Sequence, residues 1–408
     1  MNDSLKNIAA AAGGVFSGED NRVRRIAIDS RRVDDPSGTL FVALRGARRD
    51  GHDYIAELYD WGVRAFLVDR ELSGADYPGA GFVRCDDSLE GLQRWAARYR
   101  QTLRCTVVGI TGSNGKTVLK EWIAQLCPPQ TKLFRSPKSY NSQIGVPLSL
   151  LMIEPEDRIA VIEAGISSPG EMRLLERMIR PDVGLITNVG DAHQENFPSV
   201  EAKIAEKLDL FEHASAIVCN ACDEAVCEAV RARYADRRIV GSSPASCDLS
   251  ALPFSDAASR ENAAEALALF GALGMDTAPL AARLAGLQSV AMRLELRDGI
   301  NGCRIVNDSY NSDINSLAIA LEYLSTVAGD KAKTLILSDI DQSGLAPAEL
   351  YARVAELVCS HGVSELVGIG EEISRHAGLF DGAKEFYPDT GSFVRAAGRS
   401  RFSRRCIL

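Results

Sequence analysis

The segment Gly109-Ile110-Thr111-Gly112-Ser113-Asn114-Gly115-Lys116-Thr117 has residue types and spacing suited to holding a polyphosphate. It follows an apolar run and opens a helix expected over Val118 to Leu126, the setting a phosphate-binding loop needs. Gly112 and Gly115, flanking Ser113 and Asn114, let backbone N–H groups turn toward phosphate oxygens, and the helix start adds partial positive charge. Lys116 is expected to reach the terminal phosphates, and Thr117 offers a hydroxyl to Mg²⁺. The spacing departs from the common pattern, which wants glycine where Ile110 stands.

Phosphoryl chemistry calls for a divalent metal, so carboxylates and histidines at the ends of the following strands matter. Glu163 directly follows the apolar run Ile159-Ala160-Val161-Ile162, and His193 comes five residues after Asn188, just past the next strand. Open parallel sheets bind ligands at the carboxyl ends of their strands, so both read as metal ligands. Lys207, within Ala205-Glu206-Lys207-Leu208-Asp209, reads on local pattern alone as a surface lysine of a helix. Ten cysteines are scattered along the chain. The cluster Cys219, Cys222, Cys227 and Cys247 lacks the second close pair a zinc site needs, and Cys219 closes the apolar run Ala216-Ile217-Val218. It reads as core.

These residues need a scaffold. From Cys105 onward, apolar runs (105–110, 158–162, 183–186 and 215–219) alternate with helix-length segments, which predicts a parallel sheet buried on both faces. The alanine- and leucine-rich stretch Glu261 to Leu273 is expected to be a helix. Before this region, strands are expected at 25–29, 40–44 and 65–68, with a helix near 89–99. After it, 294–296 and 303–306 suggest a hairpin across Asp298-Gly299-Ile300-Asn301-Gly302. Helices at 315–324 and 347–358 and strands at 334–337 and 365–369 form a second α/β alternation. The apolar tail Arg405-Cys406-Ile407-Leu408 stands where another strand would start, so a truncated final domain is expected.

The length of 408 residues, at roughly 150 per domain, predicts two or three domains. The net charge of −9 argues against a generally basic nucleic-acid surface, and no run approaches the roughly 18 apolar residues of a membrane span. The start Met1-Asn2-Asp3-Ser4-Leu5-Lys6 lacks the pattern of a signal peptide, so the chain reads as cytoplasmic.

The loop Thr111 to Thr117 resembles the ATP loop of the Mur ligases, which accounts for its glycine spacing. Glu163-Ala164-Gly165-Ile166-Ser167-Ser168-Pro169-Gly170-Glu171-Met172, Thr187-Asn188-Val189-Gly190-Asp191-Ala192-His193 and Asn307-Asp308-Ser309-Tyr310-Asn311-Ser312 are similar to one subgroup. Its members join D-alanyl-D-alanine to UDP-N-acetylmuramoyl-tripeptide. Asp29-Ser30-Arg31-Arg32, Leu40 to Gly46 and Asp50-Gly51-His52 are similar to its uridine-nucleotide-binding domain.

The resemblance implies an α/β protein of three domains. A small UDP-substrate-binding domain would span 1–102, a central P-loop ATPase domain with a parallel sheet 103–290, and an incomplete Rossmann-like domain 291–408. It implies an ATP- and Mg²⁺-dependent amide ligase of peptidoglycan precursor synthesis, acting as a monomer without nucleic acid or membrane insertion. Carried over by position, Lys116 and Thr117 serve the phosphates and the metal, and Glu163 and His193 match metal ligands. Lys207 matches a lysine that family members carry as a carbamate. Asn262 matches a residue near the adenine, Arg293 and Asp308 match positions that contact the nucleotide on closure, and Ser30, Arg31 and Asn311 match substrate-binding positions. Where the family has histidine before Asn262 this chain has Glu261, which implies different adenine contacts. The cut end would also suit a fusion to an alanine racemase domain. Two other readings are a ligase adding the third peptide residue and a catalytically silent nucleotide-binding module.

Overall fold

The apolar runs become strands of three separate sheets in a computed structural model, which describes residues 2–46, 49–190, 194–310, 312–340, 343, 345–398 and 401–408. Its architecture is α/β in three units. The first has a five-stranded sheet in the order Val15–Gly18, Gly81–Arg84, Ala65–Val68, Thr39–Val42, Arg25–Ala27, parallel apart from its first pair.

The central sheet is entirely parallel, ordered Arg238–Ser242, Ala216–Asn220, Val183–Ile186, Thr106–Thr111, Ile159–Glu163, Leu133–Arg135. Its four inner strands are buried almost throughout, because helices cover both faces. On one face the helix Lys116–Leu126 turns Leu119, Trp122, Ile123 and Leu126 inward against the helix Ala257–Ala272. From Thr106–Thr111 the chain goes to the edge strand Leu133–Arg135 and back in to Ile159–Glu163 on one side, then crosses to the other side with Val183–Ile186. That reversal opens a crevice at the carboxyl ends of the strands, and the glycine loop 112–115 sits there. The edge strands Leu133–Arg135 and Arg238–Ser242 escape the sequence reading because edge exposure mixes polar residues into short segments.

The opposite face shares its core with the first unit. The helix Ser88–Arg100 buries Leu92 and Trp95 against the helices Gly145–Leu150 and Glu171–Ile179. Each such side chain contributes about 1.5–3 kcal/mol by leaving water. Arg100 seals the joint, donating Nε to the Ile179 carbonyl at 2.8 Å and Nη2 to the Arg180 carbonyl at 2.9 Å.

The third unit has a core of its own, around Leu321, Leu324, Leu335, Val354 and Leu366. Its sheet runs Glu295–Asp298, Arg304–Asn307, Arg405–Ile407, Ala332–Ser338, Glu365–Ile369, Ala383–Tyr387, parallel except for the expected hairpin. The apolar tail thus forms a strand within the interior of the sheet. Asp313 caps the helix Ile314–Ala328 with a reciprocal capping box through Ser316. The described cysteines form no disulfide, although Cys227 Sγ lies 2.7 Å from Cys219 Sγ, and Cys219 is fully buried, as its apolar neighbours suggest. No described helix is long and apolar enough to cross a membrane.

Candidate functional site

The loop at 112–117 has its shape because two of its glycines cannot be anything else. Gly112 has φ +141°, and a Cβ there would meet Thr187 Oγ1 at 1.9 Å. Gly115 has φ +82°, and its Cβ would sit 2.6 Å from Asn262 Oδ1. Ile110, where the common pattern wants glycine, is instead a buried residue of the strand Thr106–Thr111, in register with Glu163. The residues after the next strand pin the loop. Ser113 N donates to the Asn188 carbonyl at 2.7 Å, Asn114 N to Asn188 Oδ1 at 3.2 Å, and Thr187 Oγ1 to the Asn114 carbonyl at 2.7 Å.

Lys116 curls back, donating Nζ to the Gly112 and Ser113 carbonyls at 2.8 Å each. Burial pushes its ammonium pKa down, partly opposed by Glu163. Thr117 Oγ1 lies 3.0 Å from Glu163 Oε2 and 3.2 Å from Ser139 Oγ. Glu163, at the end of its strand and 1% exposed, also accepts from Asn141 Nδ2 at 2.8 Å and has Lys120 Nζ at 3.6 Å. Lys120 and Asn141 went unnoticed in the sequence. Lys120 looks like any polar residue of an amphipathic helix, and nothing in its spacing signals that its side chain is fully buried.

Lys207 corrects the local reading. It is buried, and Nζ donates to the Gly112 carbonyl at 3.1 Å. The helix Val200–Leu208 turns this face toward the sheet, bringing Lys207 across 95 residues to the loop. Burial, then the nearby Lys116 and Lys203, push its pKa well below the usual lysine value, with Glu206 opposing.

Lys116, Thr117, Glu163 and Lys207 line one cavity of about 480 Å³, with Leu89 of the first unit and Arg293 and Tyr310 of the third. The Arg293 guanidinium stacks over the Tyr310 ring, 4.0 Å from its centroid. A second cavity, which shares Asn114, Gly115, Val118 and Arg293 with the first, brings Asn262 and Asp308 together. Asp308 Oδ1 accepts from Leu294 N at 3.1 Å, and burial raises its carboxyl pKa.

Ser30 and Arg31 lie apart from both cavities, in a short turn of 3-10 helix after the strand Arg25–Ala27. Arg31 is clamped in two-pronged fashion by Asp29, at 2.9 and 2.8 Å, which pulls the Asp29 carboxyl down to about 2. Nearby, His52 Nδ1 faces Asp50 Oδ1 at 2.6 Å while Nε2 accepts from Asp69 N at 3.2 Å. His193 and Asn311 lie outside the described residues. Among the described residues no cluster of three histidine, cysteine or acidic side chains stands ready for a metal.

Residues 22–100 match the model for the Mur ligase family, catalytic domain, and residues 110–246 match the model for the Mur ligase middle domain. The UDP-N-acetylmuramoyl-tripeptide–D-alanyl-D-alanine ligase of Bacillus subtilis is 29% identical over 367 residues, covering 84% of this chain and 79% of its own length. Among solved structures, MurF from Acinetobacter baumannii superposes with a TM-score of 0.86 at 20% identity, covering 100% of this chain and 95% of that one. MurF from Thermotoga maritima, solved in complex with ADP, gives 0.78 at 23% identity over 94% and 93%. The two structural likenesses establish a shared fold.

Proposed function

Since the chain belongs to the Mur ligase family, we propose that it joins D-alanyl-D-alanine to UDP-N-acetylmuramoyl-tripeptide at the expense of ATP. The observation that carries this is the convergence of Lys116, Thr117, Glu163, Lys207 and Arg293 on one cavity lined by all three units.

A free carboxylate is a poor electrophile, so the tripeptide carboxylate first attacks the γ-phosphorus of ATP. ADP leaves and an acyl phosphate remains. The uncharged amine of D-alanyl-D-alanine then adds to the acyl carbon and gives up a proton to solvent, and the tetrahedral intermediate expels phosphate to leave the amide. Throughout, the protein holds reactants in line and offsets negative charge. Lys116 and Arg293 are the cations facing the γ-phosphate, and the amides of the glycine loop orient the phosphate chain.

The donor set fits Mg²⁺: Glu163 gives a buried carboxylate and Thr117 a hydroxyl beside it, both oxygen ligands of the kind this ion prefers. When bound, the ion neutralises phosphate charge. Lys207 as an amine would not suit it. Burial and the neighbouring ammoniums favour the uncharged amine, which adds CO₂ to give a carbamate and a released proton, and the carbamate supplies an oxygen. His193 completes the proposed set with Thr117, Glu163 and Lys207.

In this reading residues 1–102 take the UDP-linked substrate through Ser30 and Arg31. Residues 103–290 take ATP, with Asn262 near its base. Residues 291–408 close over both with Arg293, Asp308 and Asn311, in a monomer working in the cytoplasm. The test is phosphate release from ATP and UDP-N-acetylmuramoyl-tripeptide with and without D-alanyl-D-alanine. Release dependent on the dipeptide, and lost in Lys116→Ala by at least about a hundredfold in turnover, is expected. Release driven instead by a single amino acid with a shorter substrate would assign the chain to a neighbouring ligase, and none at all would leave a silent module.

A further inference from the structure

We propose that Tyr310 is a positioning residue for the reaction, its ring holding the Arg293 guanidinium where the γ-phosphate is transferred. This rests on the ligase reading above and adds a residue to it. Tyr310 lies in the loop between the strand Arg304–Asn307 and the helix Ile314–Ala328. It is 49% exposed, so core packing is not what its ring supplies. The face of the ring instead carries the Arg293 guanidinium, 4.0 Å from the centroid. Both side chains line the cavity that also holds Lys116, Thr117 and Glu163.

Arg293 needs such a support. It stands between Met292 and Leu294, both at positive φ, and ahead of the strand Glu295–Asp298, outside any helix or strand that would fix its direction. Among the described residues its guanidinium makes no hydrogen bond and no ion pair. Asp308 feels its charge, but Asp308 Oδ1 accepts from Leu294 N instead. A carboxylate partner would hold the guanidinium too, but it would occupy the N–H fork and cancel the charge a phosphate needs. An aromatic ring takes only the face. The five N–H donors lie in the guanidinium plane, so they stay free at its edge and the charge is kept. Both residues belong to the third unit, so the stack moves with that unit and reaches the phosphate already formed.

The experiment measures kcat with ATP, Mg²⁺, UDP-N-acetylmuramoyl-tripeptide and D-alanyl-D-alanine in wild type, Tyr310→Phe, Tyr310→Leu, Arg293→Ala and the double variant Tyr310→Leu with Arg293→Ala. ADP, which lacks the γ-phosphate, is titrated into each by calorimetry. Tyr310→Leu keeps apolar bulk but loses the π-face, and should lower kcat about tenfold. Tyr310→Phe keeps the face and should hold kcat within about threefold. Without Arg293 the ring has nothing to hold, so adding Tyr310→Leu to Arg293→Ala should lower kcat by no more than about twofold. ADP affinity should stay within about twofold in both single Tyr310 variants, which a general disturbance of the fold would not allow.

A phenylalanine variant as slow as leucine would overturn the proposal, because the hydroxyl and not the face would then be what matters. So would a leucine variant as fast as wild type, or single losses that multiply in the double variant. ADP binding weakened along with kcat in Tyr310→Leu would give the ring a structural role and overturn it as well. The absence of ATP-driven turnover in the wild type would bring down the ligase reading, and this proposal with it.

Discussion

Lys207 is a buried amine whose hydrogen bond among the described residues goes to the Gly112 carbonyl, in a neighbourhood that already holds Lys116 and Lys203. Such crowding is destabilising for ammonium ions and favours the neutral amine, and the proposed carbamate would place a negative charge among the neighbouring ammoniums. Lys207→Ala is expected to lower turnover about a hundredfold or more, and acetate to restore part of it by filling the vacated ligand position. Lys207→Arg keeps a positive charge but forms no stable carbamate, so it should be as inactive as alanine. Near-normal turnover in the arginine variant would show that charge alone is what the position needs. Glu163 shows the converse arrangement, a carboxylate held by Thr117, Asn141 and Lys120 from three directions.

At the scale of elements, the phosphate loop is a strand-to-helix turn whose path between Thr187 and Asn188 leaves no room for a side chain at position 112. Gly112→Ala is expected to abolish measurable ATP binding, because the methyl group would have to displace Thr187 Oγ1, which holds the Asn114 carbonyl. Gly286→Ala, where a Cβ meets nothing within 4 Å among the described residues, is the matched control and should bind ATP normally.

The turn Gly51–Tyr54 of the first unit carries a pH dependence of its own. Burial works to raise the Asp50 carboxyl, but the His52 N–H and ring and the Arg70 guanidinium outweigh it and bring it down to about 2. A carboxyl depressed in the folded state stabilises fully above its unfolded value near 4, and that contribution disappears as pH falls through the folded value. Urea unfolding of wild type and Asp50→Asn should therefore differ most above about pH 4 and converge toward pH 2. A gap that stays constant over this range would contradict the assignment.

For the whole molecule, the distribution of cores matters most. The first two units share one apolar cluster through Leu92 and Trp95, whereas the third packs around its own. They are linked by a segment where Met292 and Leu294 both have positive φ, at +59° and +49°. Separate cores make relative motion of the third unit the default, which is compatible with the proposed closure of Arg293 and Asp308 over bound nucleotide. Substrate binding is divisible for another reason, since Ser30 and Arg31 lie apart from both cavities. Arg31→Ala should weaken binding of the UDP-linked substrate about tenfold or more, while ATP binding by calorimetry stays within about twofold. Equal loss of both would place Arg31 in a structural role.

What the linear chain settled by itself is local. The glycine loop, the strand ending in Glu163, the alternation of runs and helices and the hairpin 295–307 depend on contacts within a few residues of sequence, and composition reports those. Motif order along the chain was likewise enough to point to the family. Only tertiary structure decided that Lys207 is buried at the loop rather than solvated, that Lys120 and Asn141 brace Glu163, and that Glu265 lines a cavity with an oxygen unpartnered among the described residues. Each of those depends on which face of a helix meets which end of a sheet. That is set by packing between segments tens of residues apart, and residue spacing along one segment carries no record of it.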